Sequence, residues 1–235
     1  VDRRGWIVFL VVLLGIGGAL VGWNAWIEAE ERADAERREA RRAERMREAE
    51  ERVARLIEES RELMPAVIEG VALGQTIDEV RAARRAITPA RDAGRGGLVM
   101  MEERLSNGGQ AMYGFDRQAQ RLVQVQVLSM MPTTAAIAPH LTAMRDTYGT
   151  PTGIWDCPTT GGVPTRRFTW RRSLTTVSDV FLIYGDRVSV TLYIATSEQI
   201  GRSLQMASCT TVPADRVEQF PVVSPEQLQQ MQGGR

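Results

Sequence analysis

Positions 5–27, GWIVFLVVLLGIGGALVGWNAWI, hold 23 residues without a charge, and a run of Glu, Ala and Arg follows at once. An uncharged run of this length restricts the fold more than any other feature of the chain. As a helix rising ~1.5 Å per residue it spans about 34 Å, close to the ~30 Å hydrocarbon thickness of a bilayer. Trp6 stands at one end, with Trp23 and Trp26 at the other, where indoles favour the headgroup level. The reading is a transmembrane anchor over residues 1–27. Two others compete. A cleaved secretory signal would use Arg3 and Arg4 as its basic n-region and Gly17-Gly18-Ala19 as its cleavage site, but the apolar run outlasts the usual h-region of ~7 to 15 residues. A core helix would need more protein around an all-round apolar terminal segment than the chain supplies.

Orientation follows from arginine placement. Arg3 and Arg4 on a very short tail favour a cytoplasmic N-terminus, whereas Arg32, Arg37, Arg38, Arg41, Arg42, Arg45 and Arg47 beyond the span argue the reverse, and acidic residues are weak counterweights. Long domains translocate largely regardless of charge, and two cysteines suit an oxidising compartment, so the expectation is a bacterial inner-membrane protein with a periplasmic C-terminal domain. Every one of the 29 basic residues is arginine, the mark of a GC-rich genome, and the net charge is +0, so no global field draws the chain to nucleic acid.

Residues 28–64 read as a helical stalk. They contain no Gly or Pro, and Glu28/Arg32, Asp34/Arg38, Glu48/Arg52 and Glu51/Arg55 are acid-before-base pairs at i, i+4. Pro65 should end the helix, which at ~1.5 Å per residue is about 55 Å long. Met46, Ala49, Val53, Leu56, Ser60 and Leu63 form a heptad seam for a partial coiled coil, and Gly18 and Gly22 offer a small face in the anchor; both fit a homodimer, against the alternative of a solvated single-helix spacer.

From about residue 66 short alternating runs and turn signals predict an α+β globular domain over 66–209. The clearest element is a hairpin with a Gly185-Asp186 turn, in which Val188, Val190, Leu192 and Ile194 alternate with Ser189, Thr191 and Tyr193. Val123, Val125 and Val127 alternate likewise with Gln124 and Gln126. A helix near 76–87 precedes strands near 97–104, 110–116 and 121–128. A second near 139–148 precedes strands near 165–171, 178–184 and 187–194. The pattern predicts two helix-plus-antiparallel-strand repeats, about 66–130 and 131–209, followed by a mobile tail over 210–235 in which Ser224 to Gln227 can cap a short helix through Met231.

Ile68-Glu69-Gly70-Val71-Ala72-Leu73-Gly74-Gln75-Thr76-Ile77-Asp78-Glu79-Val80 resembles the Gly-x-Thr-x-x-x-Val entry into the first helix of the small outer-membrane lipoprotein (SmpA/OmlA) family. The doubled layout is similar to that of the β-lactamase inhibitor protein type of module. No lipobox cysteine stands near the N-terminus, so the lipid anchor of that family is absent. The resemblance implies a non-catalytic, protein-binding envelope module and does not name a ligand.

Cys157 and Cys209 are the only cysteines. As a disulfide they would contribute ~4 kcal/mol in the chain-entropy model; as free buried thiols, nothing of the kind. A metal site would need further ligands, and the single histidine is His140, so no metal or cofactor is expected. No HExxH or P-loop spacing occurs, and no serine or cysteine is placed as a nucleophile. His140, Asp146 and Tyr148 are the only candidates for an enzyme. Gly94-Arg95-Gly96-Gly97 reads as a flexible connection or an anion cradle. Arg81, Arg84, Arg85, Arg91 and Arg95 cluster about the first helix, while Arg166, Arg167, Arg171 and Arg172 flank Phe168 and Trp170; they are a solvated face or contacts to an anion or a partner's carboxylates. The expected function is a single-pass membrane scaffold or assembly module that binds another envelope protein. A sensor or carrier for an anionic envelope ligand is the alternative.

Overall fold

The structure is a computed structural model that describes residues 3–90, 97–159, 162–224 and 227, with the side chains of 3–22, 24–25, 27–29 and 206 outside the description. The chain divides into two compact units, Val1–Arg52 and Val53–Arg235.

Helix α1 is Arg3–Arg61. No helix among the described residues is long and apolar enough to cross a membrane. The anchor expected over 5–27, with Gly18 and Gly22, falls largely on residues whose side chains lie outside the description. Within the first unit Trp23 and Trp26 are exposed, with ring centroids 5.4 Å apart. Asp34 pairs with Arg37 one turn on at 2.5 Å rather than with Arg38, and that hydrogen bond, with the charge behind it, holds its carboxyl below the usual range. Arg47 reaches Glu51 at 3.4 Å. Neighbours at i, i+3 and i, i+4 both lie beside a given side chain on a helix, so an arginine other than the expected one can take the pair.

The second unit takes up the end of α1. The helix stops at Arg61, three residues short of the expected end, because Pro65 disfavours helical backbone before it; Leu63 N–H then closes onto Ser60 O at 3.0 Å. The seam proposed for pairing with a second copy is used inside the chain. Ser60 is fully buried and accepts the Leu73 N–H at 2.8 Å, while Leu56, Leu63 and Met64 join the head's core. Val53 and Ile57 approach Gly74, whose φ of +89° and near contacts leave no room for a Cβ. Met46 alone of the large seam residues is open, at 62% exposure.

A short turn over Ala66–Ile68 leads to α2 (Ile77–Ala83). Thr76 and Glu79 form a reciprocal capping box, with Thr76 N–H donating to Glu79 at 2.7 Å. The helix is shorter than expected because Arg84 leaves it to reach Glu103, and Thr88–Pro89 pairs as β1. The strands that follow are β2 (Leu98–Arg104), β3 (Gln110–Asp116) and β4 (Leu122–Met131). Helix α3 is Ile137–Tyr148, and after it come β5 (Gly153–Pro158), β6 (Pro164–Arg171), β7 (Thr175–Tyr184) and β8 (Arg187–Thr196). Helix α4 (Ser197–Met206) and β9 (Thr210–Thr211) complete the order.

All nine strands form one antiparallel sheet, β1-β2-β3-β4-β8-β7-β6-β5-β9, so the fold class is α+β. β4 and β8 meet in the middle over Gln124↔Ala195 to Met131↔Val188. One face carries the core: Tyr113, Phe115, Val125, Phe168, Phe181 and Ile194 pack under α2, α3 and the end of α1. Alternation fails once. A bulge between Gly114 and Phe115 inserts Val123, so Leu122 and Val125 both face inward and Val123 does not join the core.

The segment after β9 is pinned, contrary to the expected mobile tail from 210. Val212 N–H donates to Ile154 O at 2.9 Å, Phe220 stacks near Phe168 and Phe181, and Val223 N–H donates to Ile183 O at 2.9 Å. Ser224 and Gln227 cap each other reciprocally, as expected; the helix beyond lies outside the described residues. Cys157 and Cys209 are joined by a disulfide across a separation of 52 residues.

Candidate functional site

Polar residues that end up inside the head are mostly committed to holding it together. Arg84, on the run leaving α2, donates from Nε to Glu103 Oε1 at 2.9 Å and from Nη2 to Val67 O at 3.1 Å. Tyr113 donates its hydroxyl to the same buried Glu103 oxygen. Burial, then that carboxylate, holds the Tyr113 phenol far above its ordinary range. The neighbouring Arg81 and Arg85 are exposed, Arg81 within 4.0 Å of Asp78; Arg91 and Arg95 lie outside the described residues, as does most of the 94–97 loop.

Arg166 and Arg167 face opposite sides of β6, and neither is part of a solvated strand face. Arg166 is 2% exposed. It grips Asp156 with Nε at 2.7 Å and Nη2 at 3.1 Å, and donates from Nη1 to the carbonyls of Arg216 and Val217 at 2.7 and 2.8 Å. Its guanidinium lies 5.3 Å from the Phe220 ring. This residue therefore clamps the returning C-terminal segment, with four of its five N–H donors committed within the chain. Arg167 is 7% exposed on the face under α4, without a carboxylate partner among the described residues.

His140 sits in the first turn of α3, with Nε2 2.6 Å from Asp179 Oδ2 of β7. Asp179 is fully buried, and its other oxygen has no partner. Burial raises the Asp179 carboxyl above its usual range, opposed by the hydrogen bond and charge of His140. Tyr148 donates its hydroxyl to Leu63 O at 3.1 Å, and burial raises its pKa. A histidine–carboxylate pair orients a base, but Asp146 makes no contact with it, and no hydroxyl or thiol is hydrogen-bonded to His140 as a nucleophile among the described residues. No group of three or more metal-ligating side chains occurs among the described residues either.

A groove lies between α3 and the pinned C-terminal segment. It has a volume of about 530 Å³, and its lining includes Ile137, Leu141, Ile183, Phe220 and Val222, with Arg145 and Glu218. The 3.6-residue period of α3 places Ile137, Ala138, Leu141 and Arg145 along one stripe. Val222 makes a parallel bridge to Ile183, beyond the last β6–β7 pair at Arg166↔Phe181, so the opposite wall is backbone-paired to the sheet. A second hollow of about 740 Å³ shares Arg145, Val217 and Glu218 and continues toward Pro151 and Ile154. The tail's Phe220 and paired Val222-Val223 were the sequence signal for this wall, hidden by surrounding Pro and Gln. No known protein family, curated protein or solved structure matches the chain significantly.

Proposed function

We propose that this chain is a single-pass, membrane-anchored envelope protein, held in the inner membrane by residues 5–27, whose head is a non-catalytic module that binds another envelope protein. The groove between α3 and the C-terminal segment carries the reading. Its lining is largely apolar and includes one cation and one anion, Arg145 and Glu218. That lining suits a partner segment with a large apolar side chain flanked by one acidic and one basic residue. The disulfide fits a periplasmic head. The helix-then-meander order on both sides of the β4–β8 seam, and the Thr76 capping box within the stretch resembling the small outer-membrane lipoprotein family, support a tandem module of that kind.

Photo-crosslinking in intact cells tests it. A photoreactive side chain at Thr142 or Val222 should capture one discrete envelope protein through a segment of that chemistry, and Ala138→Arg should abolish the adduct. The same adduct from the exposed Asn107, on the β2–β3 turn and absent from the groove's lining, or none from either groove position, refutes the assignment. A reporter that is active only in the periplasm, fused after Arg235, should be active; an inactive fusion together with an active cytoplasm-dependent reporter at the same position refutes the topology.

A further inference from the structure

On the sheet face away from the main core, α4 roofs a patch that four strands build together. Trp155 of β5 and Arg167 of β6 are direct cross-strand partners, and the adjacent row runs Thr169, Ser178, Tyr193 through β6, β7 and β8. Directly opposed residues share a face, as do those two apart along a strand, so these side chains all stand on the side of the sheet that α4 covers. The Arg167 guanidinium crosses the row to lie 5.4 Å from the Tyr193 ring centroid. Its single hydrogen bond runs from Nη1 to Ser203 Oγ of α4, at a long 3.4 Å. Arg167 Nε, Trp155 Nε1 and Ser178 Oγ are all buried without a partner among the described residues.

Arg166 next door shows how the same fold treats a buried guanidinium when it is structural: a bidentate carboxylate and two carbonyls. Arg167 receives neither. An isolated buried cation is among the costlier things a protein holds, and arginine does not escape by losing its proton. A water molecule can accept from Nε but cannot balance the charge. The edge left free is the one that matches two oxygens of a carboxylate or phosphate side by side.

We propose that Arg167 is an anion site: it takes a small oxyanion, a carboxylate or phosphate group, on its Nε edge beneath α4, with Ser178 Oγ–H and Trp155 Nε1–H as further donors. The Tyr193 ring lies against the guanidinium and leaves Nε without a partner among the described residues. The site is separate from the α3 groove and stands whether or not that groove docks a protein.

Titration of the ¹⁵N-labelled full chain in a non-ionic detergent tests it, following the Arg167 Nε–H resonance identified by its Overhauser contact to the Tyr193 ring. Inorganic phosphate and sodium acetate are added separately, with chloride making up constant ionic strength. At least one should produce a saturable shift of Arg167 Nε–H together with the Trp155 indole N–H, and Ser178→Ala should weaken it roughly tenfold, the loss expected for one charge-assisted donor. Saturation by acetate alone identifies a carboxylate ligand; saturation by phosphate, an oxyanion of either shape. The melting temperature should rise with that anion in the wild type and not in Arg167→Gln. No saturable shift with either anion, the outcome for a water-filled site, overturns the proposal, as does an equal thermal rise in Arg167→Gln. The wild-type titration decides the matter even if the variant does not fold.

Discussion

Glu59 is the residue through which the end of α1 holds the sheet, and its removal tests whether that helix belongs to the head. Its carboxylate accepts the N–H of Leu174 at 2.9 Å and of Thr175 at 2.8 Å, the two donors at the tight connection between β6 and β7. Hydrogen bonds to a charged group contribute about 1.5–3 kcal/mol each, and the half-buried position calls for the lower end, so Glu59→Ala should cost about 3 kcal/mol. Alanine is the better helix former, so no part of that loss can come from α1 itself. Glu59→Gln keeps an acceptor oxygen and loses only the charge assistance, roughly half the cost. For a unit of this size 1 kcal/mol moves the melting temperature by ~2–4 °C, which sets the expected drops at about 6–12 °C and about 3–6 °C. The assay is near-ultraviolet circular dichroism of the full chain, with exposed Glu58→Ala as the control expected to move by less than ~0.5 kcal/mol. A Glu59→Ala melt that coincides with the Glu58→Ala melt refutes the reasoning.

Removal of residues 1–64 should leave a head that melts broadly and binds hydrophobic dye, because Leu56, Ser60 and Leu63 go with it, whereas a chain starting at Glu48 should melt cooperatively. Asp179 titrates higher folded than unfolded, so the folded head binds the extra proton above pH ~4 and loses stability as pH rises toward the folded pKa; Asp179→Asn should flatten that decline in urea midpoints measured from pH 4 to 7, and an unchanged slope removes Asp179 as its source. Reducing the Cys157–Cys209 bond should lower the melting temperature by about 8–16 °C, from the ~4 kcal/mol of a loop this long; an unchanged melt under full reduction argues against the entropic account. Arg166→Ala should free the segment around Arg216 and Val217 to limited proteolysis, while Arg85→Ala leaves the digest unchanged.

Strands were the most legible part of the head because period-two alternation reports burial directly: Val188, Val190 and Ile194 all reach the core as their spacing predicts. The Gly185 turn was equally plain, since a two-residue connection demands a positive φ there, observed at +58°. Val123 misled for a physical reason. A bulge shifts the phase of the pattern by one residue, and no composition signal marks it. Strand β5 and helix α4 escaped because a six-residue strand whose residues are mostly half-buried has no clean alternation, and because a ten-residue helix containing Gly201 looks locally like a loop.

The arginines show a deeper limit. Local sequence cannot distinguish a guanidinium that faces water from one that is buried, because the difference lies in partners far along the chain. Arg166 finds Asp156 ten residues before it and carbonyls about fifty after it; Arg84 finds Glu103 across β2. The heptad seam of the stalk shows the same limit: the apolar stripe is real, and at Leu56 and Leu63 the surface it covers belongs to the chain's own head. Periodicity tells which face of an element is buried, and only the rest of the fold tells against what. Arg167 is the residue for which the fold supplies no answer of its own, with an orphaned Nε, no carboxylate among the described residues and a roof held at both ends by β8 and the disulfide-linked strand β5. The fold gives Asp156 to the buried Arg166 and Glu103 to the half-buried Arg84, but gives Arg167 no carboxylate among the described residues, and that contrast is the ground for the proposed anion site.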